Sequence, residues 1–188
     1  MNVCQTMETE EDLLTCLSIR LYHPQQHRKG LFSLLPLGNR SKHPADESLR
    51  FGRDAQSCTF ALVDSRVSRK QFALQAYRIP ETSEMQFILQ NLSQTVKVTV
   101  NGSTLDFLEK TDLPRKALVR FTEYEMLIVR EEGEAKQSFE VELEILSVPP
   151  SRETGPCEHC AMPIMDTGRP PLSELRVPSE TDETLFLT

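Results

Sequence analysis

The chain has 188 residues, of which 38% are hydrophobic and none is Trp, and a formal net charge of −7; this suits one core of ordinary domain size with tails. Its acidic residues gather at the ends: residues 1–12 carry Glu8, Glu10, Glu11 and Asp12 against no basic residue, and residues 149–188 carry seven against three, leaving the middle at about +1. An extended nucleic-acid groove, which needs a basic face to neutralise backbone phosphates, is thereby excluded, while a small basic pocket on the middle section is not.

There is no apolar run of about 18 residues to form a transmembrane helix. The opening Met-Asn-Val-Cys-Gln-Thr-Met-Glu lacks the basic and apolar regions of a signal peptide. Five scattered cysteines do not form a disulfide framework. The expectation is a cytoplasmic protein with reduced thiols.

Residues 1–12 are too polar to offset the entropy of ordering and read as a disordered acidic head. From Leu13 the pattern changes. Cys16 to Tyr22 alternates in the period of a half-buried strand, and His23-Pro24 ends it. A second strand is expected over Gly30–Leu35, and residues 36–47, with Pro36, Gly38, Asn39, Pro44 and Asp46, read as a loop. Short strands then follow over 49–51, 59–62, 71–78, 85–91, 96–100, 117–121, 124–130 and 139–146. Asn101-Gly102 lies between apolar segments and predicts a tight hairpin turn. Many short strands with frequent turn signals mean an all-β sandwich or barrel. The folded part is thus expected over 13–148. Seven of the twelve prolines fall from Pro149 onward, so 149–188 reads as a flexible, Pro-rich acidic tail.

No nucleophile–base pair suggests an enzyme. His23, His27, His43 and His159 have no triad spacing, and Cys157-Glu-His-Cys160 is half of a zinc site at most. No metal and no cofactor are expected. A binding site is better supported: Gly52 permits a tight loop beside a ligand, Arg53 supplies a fork of donors, and Ser68 and Arg69 add a hydroxyl and a second cation. Thr95 closes the rim. Planar guanidinium donors in charge-assisted hydrogen bonds suit phosphate oxygens.

Gly52-Arg53, then Val67-Ser68-Arg69-Lys70-Gln71-Phe72, then Asn91-Leu92-Ser93, then Val100-Asn101-Gly102, resembles the ordered signature of the forkhead-associated (FHA) family over roughly Cys16 to Ser147. The resemblance implies an eleven-stranded β-sandwich whose loops at one end read phosphothreonine peptides, with Arg53, Ser68, Arg69 and Thr95 facing the peptide. Two positions depart from the family pattern: Gln71 stands where histidine is usual, and Val96 replaces the asparagine that often follows the rim threonine.

The resemblance narrows to the TRAF-interacting branch of that family. It is carried by the acidic head Glu8-Thr9-Glu10-Glu11, by Leu21-Tyr22-His23-Pro24, by Lys110-Thr-Asp-Leu-Pro114 and by Val119-Arg-Phe-Thr-Glu-Tyr124. It implies that an upstream kinase phosphorylates Thr9 and that the FHA domain of another copy captures it, so that a dimeric protein oligomerises. It also implies a tail motif, Pro-x-Glu-x-x-acidic or aromatic, for a TRAF-family ubiquitin ligase in innate-immune NF-κB signalling. Pro178, Glu180 and Glu183 match that form. Two alternatives stay open: a reader of phosphothreonine on other proteins, and an inhibitory relative.

Overall fold

The computed structural model describes residues 13–153, which form twelve strands and two single-turn helices. In chain order these are β1 (Cys16–Tyr22), α1 (Gln26–Lys29), β2 (Ser41–Pro44), β3 (Leu49–Gly52), β4 (Phe60–Ala61), β5 (Phe72–Arg78) and β6 (Met85–Asn91). There follow β7 (Val98–Val100), β8 (Ser103–Leu105), β9 (Lys110–Asp112), β10 (Lys116–Phe121), β11 (Tyr124–Glu131), β12 (Ser138–Ile145) and α2 (Pro150–Glu153). One sheet has the order β2-β12-β1-β11-β10-β7-β8 and the other β4-β3-β5-β6-β9. All pairings are antiparallel except β1 with β12 and β3 with β4.

Alternation along the strands builds the core. Leu17, Ile19 and Leu21 of β1, Met85, Phe87 and Leu89 of β6, and Phe139, Val141 and Leu143 of β12 are all buried. The two sheets meet through aromatic rings. Phe72 of the five-stranded sheet lies edge-on to Phe121 of the seven-stranded one at 5.4 Å, and Phe87 meets Phe139 in the same way at 5.1 Å. Each fully buried ring of this kind stabilises the fold by about 1.5–3 kcal/mol of apolar transfer. Asn101 and Gly102 both adopt positive φ (49° and 86°) between β7 and β8, as the expected turn requires.

The architecture is the expected all-β sandwich, with four differences in its elements. Gly30–Leu35 is not a strand: Gly30 takes a left-handed conformation (φ 58°) that closes α1, and Ser33 N and Leu35 N bond back to Gly30 O and Phe32 O as successive turns. Its buried residues, Leu31, Phe32 and Leu35, have the spacing of a turn rather than of a pleat. Conversely, β2 lies within the expected loop 36–47, and Pro44 is accommodated because β2 is an edge strand. The strands β8 and β9 also carry too few apolar residues to be read from the sequence; with them and β2 added and Gly30–Leu35 removed, the ten strands read become the twelve of the described residues. Finally, α2 falls at residues assigned to the tail. The Glu125 carboxylate accepts from both the backbone N–H and the hydroxyl of Ser151 at 3.0 Å, satisfying a donor that a helix start leaves without a partner.

Candidate functional site

One rung of the five-stranded sheet positions the site. Phe51 pairs with Phe72, and Phe72 with Asn91. Because these pairings are antiparallel, the end of β3, the start of β5 and the end of β6 come to one edge. The loops that leave there carry Arg53, Ser68–Lys70 and Leu92–Thr95. Together with Asp54 and Ser57 these residues line an open groove of about 660 Å³.

The structure therefore brings Arg53, Ser68, Arg69 and Thr95 together around one groove. Gly52 is different, since it is buried and does not line the groove. Its φ is not positive, so its value is steric: a Cβ there would stand 2.1 Å from the Arg69 carbonyl oxygen and 2.9 Å from Cys58 Sγ. That close approach lets Arg53 N donate to Ser68 O at 3.0 Å and Asp54 N to Arg69 O at 3.2 Å. Val96 is likewise not a wall of the groove, because its side chain packs against the core. Thr9, Pro178, Glu180, Glu183, Cys157 and Cys160 lie outside the described residues.

Gln71 and Ser93 fasten the loops to each other. Gln71 is buried, and its Oε1 accepts from Ser68 N at 3.2 Å while its Nε2 donates to Val96 O at 3.4 Å. It thus bridges two loops as a hydrogen-bonding residue, although it stands where the family pattern has histidine. Asn91 Oδ1 accepts from Ser93 N at 3.0 Å, and Asn91 Nδ2 donates to Leu105 O at 3.0 Å. Ser93 Oγ in turn accepts from Val96 N at 2.9 Å and Thr95 N at 3.3 Å, and it lies 2.6 Å from Ser68 Oγ. A hydroxyl has two lone pairs and one hydrogen. With both lone pairs of Ser93 engaged, its hydrogen goes to Ser68, which leaves the Ser68 hydrogen free for an acceptor in the groove. Sequence reasoning included Ser93 in a motif but not as a site residue; the signal was Asn-x-Ser, a local turn in which each side chain caps the backbone after it.

The cations differ in how they are engaged. Arg66, two residues before Ser68, is held behind the groove. It donates to Asp64 Oδ2 at 3.0 Å and to Glu123, and its Nη2 lies 3.1 Å from His23 Nε2. By contrast, no carboxylate of the described residues lies within ion-pair distance of Arg53, Arg69 or Lys70, all exposed. The one acidic group lining the groove, Asp54, accepts from Ser57 Oγ at 2.7 Å and Gln56 N at 3.1 Å. These two hydrogen bonds, with a smaller contribution from the fields of Arg69 and Lys70, hold its carboxyl below the usual carboxylate range. The groove thus presents two guanidiniums and a free hydroxyl hydrogen, a set that can neutralise and hydrogen-bond a dianion, with the Lys70 ammonium beside them. Among the described residues there is no cluster of three or more His, Cys, Asp or Glu that could hold a metal.

A family model for the FHA domain matches residues 49–122, which run from β3 through the turn after β10 and include all three groove loops. Rat TRAF-interacting protein with FHA domain-containing protein A is 37% identical over 150 residues, 80% of each chain. The human protein of the same name is 34% identical over 173 residues, covering 92% of this chain and 94% of its own. This chain belongs to the family of TRAF-interacting proteins with an FHA domain. The human B-type member is 33% identical over a shorter stretch of 129 residues, 69% of this chain and 77% of its own. Among solved structures, the FHA domain of an Arabidopsis thaliana hypothetical protein overlaps at 16% identity with a TM-score of 0.45, covering 66% of this chain and 91% of that one. The resemblance read from the groove motifs and the family shown by these relatives therefore agree, and the chain is an FHA-domain adaptor.

Proposed function

We propose that the groove binds phosphothreonine carried by Thr9 of another copy, and that the resulting chains of molecules recruit and activate a TRAF-family ubiquitin ligase. The observation that carries this reading is the convergence of Arg53, Ser68 and Arg69 on one exposed groove, with no carboxylate partner for either guanidinium among the described residues. Phosphorylation gives Thr9 about −1.5 to −2 charges and three strong acceptor oxygens, the complement of that donor set.

Capture between molecules follows from reach. Leu13 O accepts from Glu134 N, and Glu134 borders the same cavity as Arg78, the far end of β5. The groove lies at the other end of β5, beside Phe72. A strand of this length spans about 20 Å, whereas the four residues from Thr9 to Leu13 extend at most about 14 Å. That separation supports docking in trans. A contact that cannot close on itself propagates as an open assembly, particularly from a dimer with two heads and two grooves.

Assembly would concentrate the Pro178, Glu180 and Glu183 motif, so that weak tail contacts act together through avidity. The names of the curated relatives, TRAF-interacting proteins, support that partner. Signalling to NF-κB in the cytoplasm, in an innate-immune response started by an upstream threonine kinase, completes the proposal. No step requires catalysis by this chain.

The test is the size of the protein in solution by light scattering, before and after stoichiometric phosphorylation of Thr9. Growth into large species is expected, and Arg53→Ala should abolish it. If the phosphorylated wild-type chain keeps its size, the assembly reading is wrong. If instead its groove binds phosphothreonine peptides from other proteins better than its own head, the chain is a reader of other proteins.

A further inference from the structure

Lys70 is a groove residue that the phosphate does not need. Two guanidiniums match the charge of one phosphothreonine, and their planar forks suit its oxygens, whereas an ammonium is a compact point charge on a flexible stem. Lys70 is exposed, borders the groove beside Arg69, and has no carboxylate of the described residues within ion-pair distance. The lysine of the neighbouring loop is already engaged, since Lys97 Nζ lies 2.9 Å from Asp106 Oδ1. Asp54, the one carboxylate of the groove, is occupied by Ser57 and Gln56. Arg53, Arg69 and Lys70 against the ionised Asp54 give the lining a charge of about +2, and Lys70 is the cation left over once the two guanidiniums engage the phosphate. The head has the opposite excess: Glu8 precedes Thr9, and Glu10, Glu11 and Asp12 follow it.

We propose that Lys70 makes the groove selective for phosphothreonine with carboxylates beside it, by pairing with those flanking side chains rather than with the phosphate. The inference rests on the phosphothreonine reading above and adds the class of sequence that the site prefers. Its physical content is an exposed, salt-screened attraction. Selectivity should therefore be modest at each carboxylate and strongest at low ionic strength. It would favour the head of another copy over a phosphothreonine in neutral sequence, which is what self-assembly among many cellular phosphoproteins requires.

The experiment uses the full, unphosphorylated chain and two labelled phosphopeptides followed by fluorescence anisotropy. One has the sequence of residues 5–13 with phosphorylated Thr9; in the other, Glu8, Glu10, Glu11 and Asp12 are replaced by Gln or Asn. Wild type is expected to bind the acidic peptide more tightly, by about two- to five-fold for each carboxylate engaged, with the difference shrinking as salt is raised from low to high. Lys70→Gln should weaken the acidic peptide far more than the neutral one and so remove the preference, Lys70→Glu should reverse it, and Lys70→Arg should keep it. A preference that survives Lys70→Gln and Lys70→Glu overturns the inference, as does equal weakening of both peptides. If wild type binds neither phosphopeptide, the phosphothreonine reading itself fails and this inference falls with it.

Discussion

Gly52 and Arg69 approach so closely that a methyl group on Gly52 would overlap the Arg69 carbonyl oxygen at 2.1 Å. The same carbonyl accepts from Asp54 N at 3.2 Å and from Cys58 Sγ at 3.1 Å. Position 52 therefore sets the spacing between the loop that carries Arg53 and the loop that carries Ser68 and Arg69. Gly52→Ala must push backbone rather than a flexible side chain, an overpacking cost of about 1–3 kcal/mol. Chemical denaturation should show that loss, and anisotropy should show phosphopeptide affinity falling further than for Arg53→Ala, because both arginine-bearing loops are displaced. A variant with wild-type stability and affinity would mean that the close approach relaxes without consequence.

Ser93→Ala tests whether the groove hydroxyl is oriented from behind. The substitution removes the acceptor for Thr95 N and Val96 N and the donor to Ser68. Loss of the two backbone partners should destabilise the domain by about 1–2 kcal/mol. Freed from Ser93, the Ser68 hydroxyl turns between alternative partners and phosphopeptide affinity drops, whereas Gln94→Ala, at an exposed position lining the same groove, should change stability little. If Ser93→Ala binds phosphopeptide as wild type does, Ser68 needs no such orientation.

Most of the site is legible in the sequence because its residues sit in short motifs at strand ends. Gly52-Arg53, Ser68-Arg69 and Asn91-x-Ser93 each flank a well-alternating strand, so reading β3, β5 and β6 places them at one edge. What the motifs do not carry is direction. Nothing local distinguishes Arg66 from Arg69, three residues apart; only the folded chain shows that Asp64 and Glu123 hold Arg66 behind the groove. Nor do the motifs carry depth: contacts across the sheet edge and with the core place Gly52 and Val96 beneath the groove rather than on its surface. In the fold, Gly30–Leu35 misleads because an apolar run bounded by turns has no period of its own until Gly30 takes positive φ. The strands β8 and β9, three residues each, owe their extension to their neighbours rather than to their own composition.

Thr122 holds positive φ (49°) in the turn between β10 and β11, and it is exposed. A β-branched residue pays for that conformation in strain, whereas asparagine adopts it readily. Thr122→Asn should therefore stabilise the domain by about 0.5–1 kcal/mol, read as a higher denaturation midpoint with unchanged slope. Phosphopeptide binding should be unaffected, since the turn does not line the groove. A lower midpoint would show that the threonine side chain contributes more than its backbone costs.

His23 should make the domain weaken in acid. It is fully buried at the end of β1, where Nδ1 accepts from Gln25 N at 3.0 Å and the ring packs at a tilt against Tyr124, 4.5 Å between centroids. Burial lowers its pKa from 6.5; Glu123 and Asp64 oppose the shift, and Arg66 and Lys29 add to it. His43 is lowered as well, again by burial, against Glu47. A histidine whose folded pKa is depressed binds its proton more readily in the unfolded chain. Stability is therefore unaffected above about pH 6.5, falls as pH drops below it, and levels off once the native ring also protonates. The steepest fall is about 1.4 kcal/mol per pH unit for each such group. Urea denaturation from pH 7.5 down to pH 4.5 should show this fall in wild type and a shallower one in His23→Gln, where His43 is the remaining depressed histidine among the described residues. Because Arg66 touches His23 and leads directly into Ser68, phosphopeptide affinity in wild type should decline over the same window. An identical pH profile for wild type and His23→Gln would remove His23 from both effects.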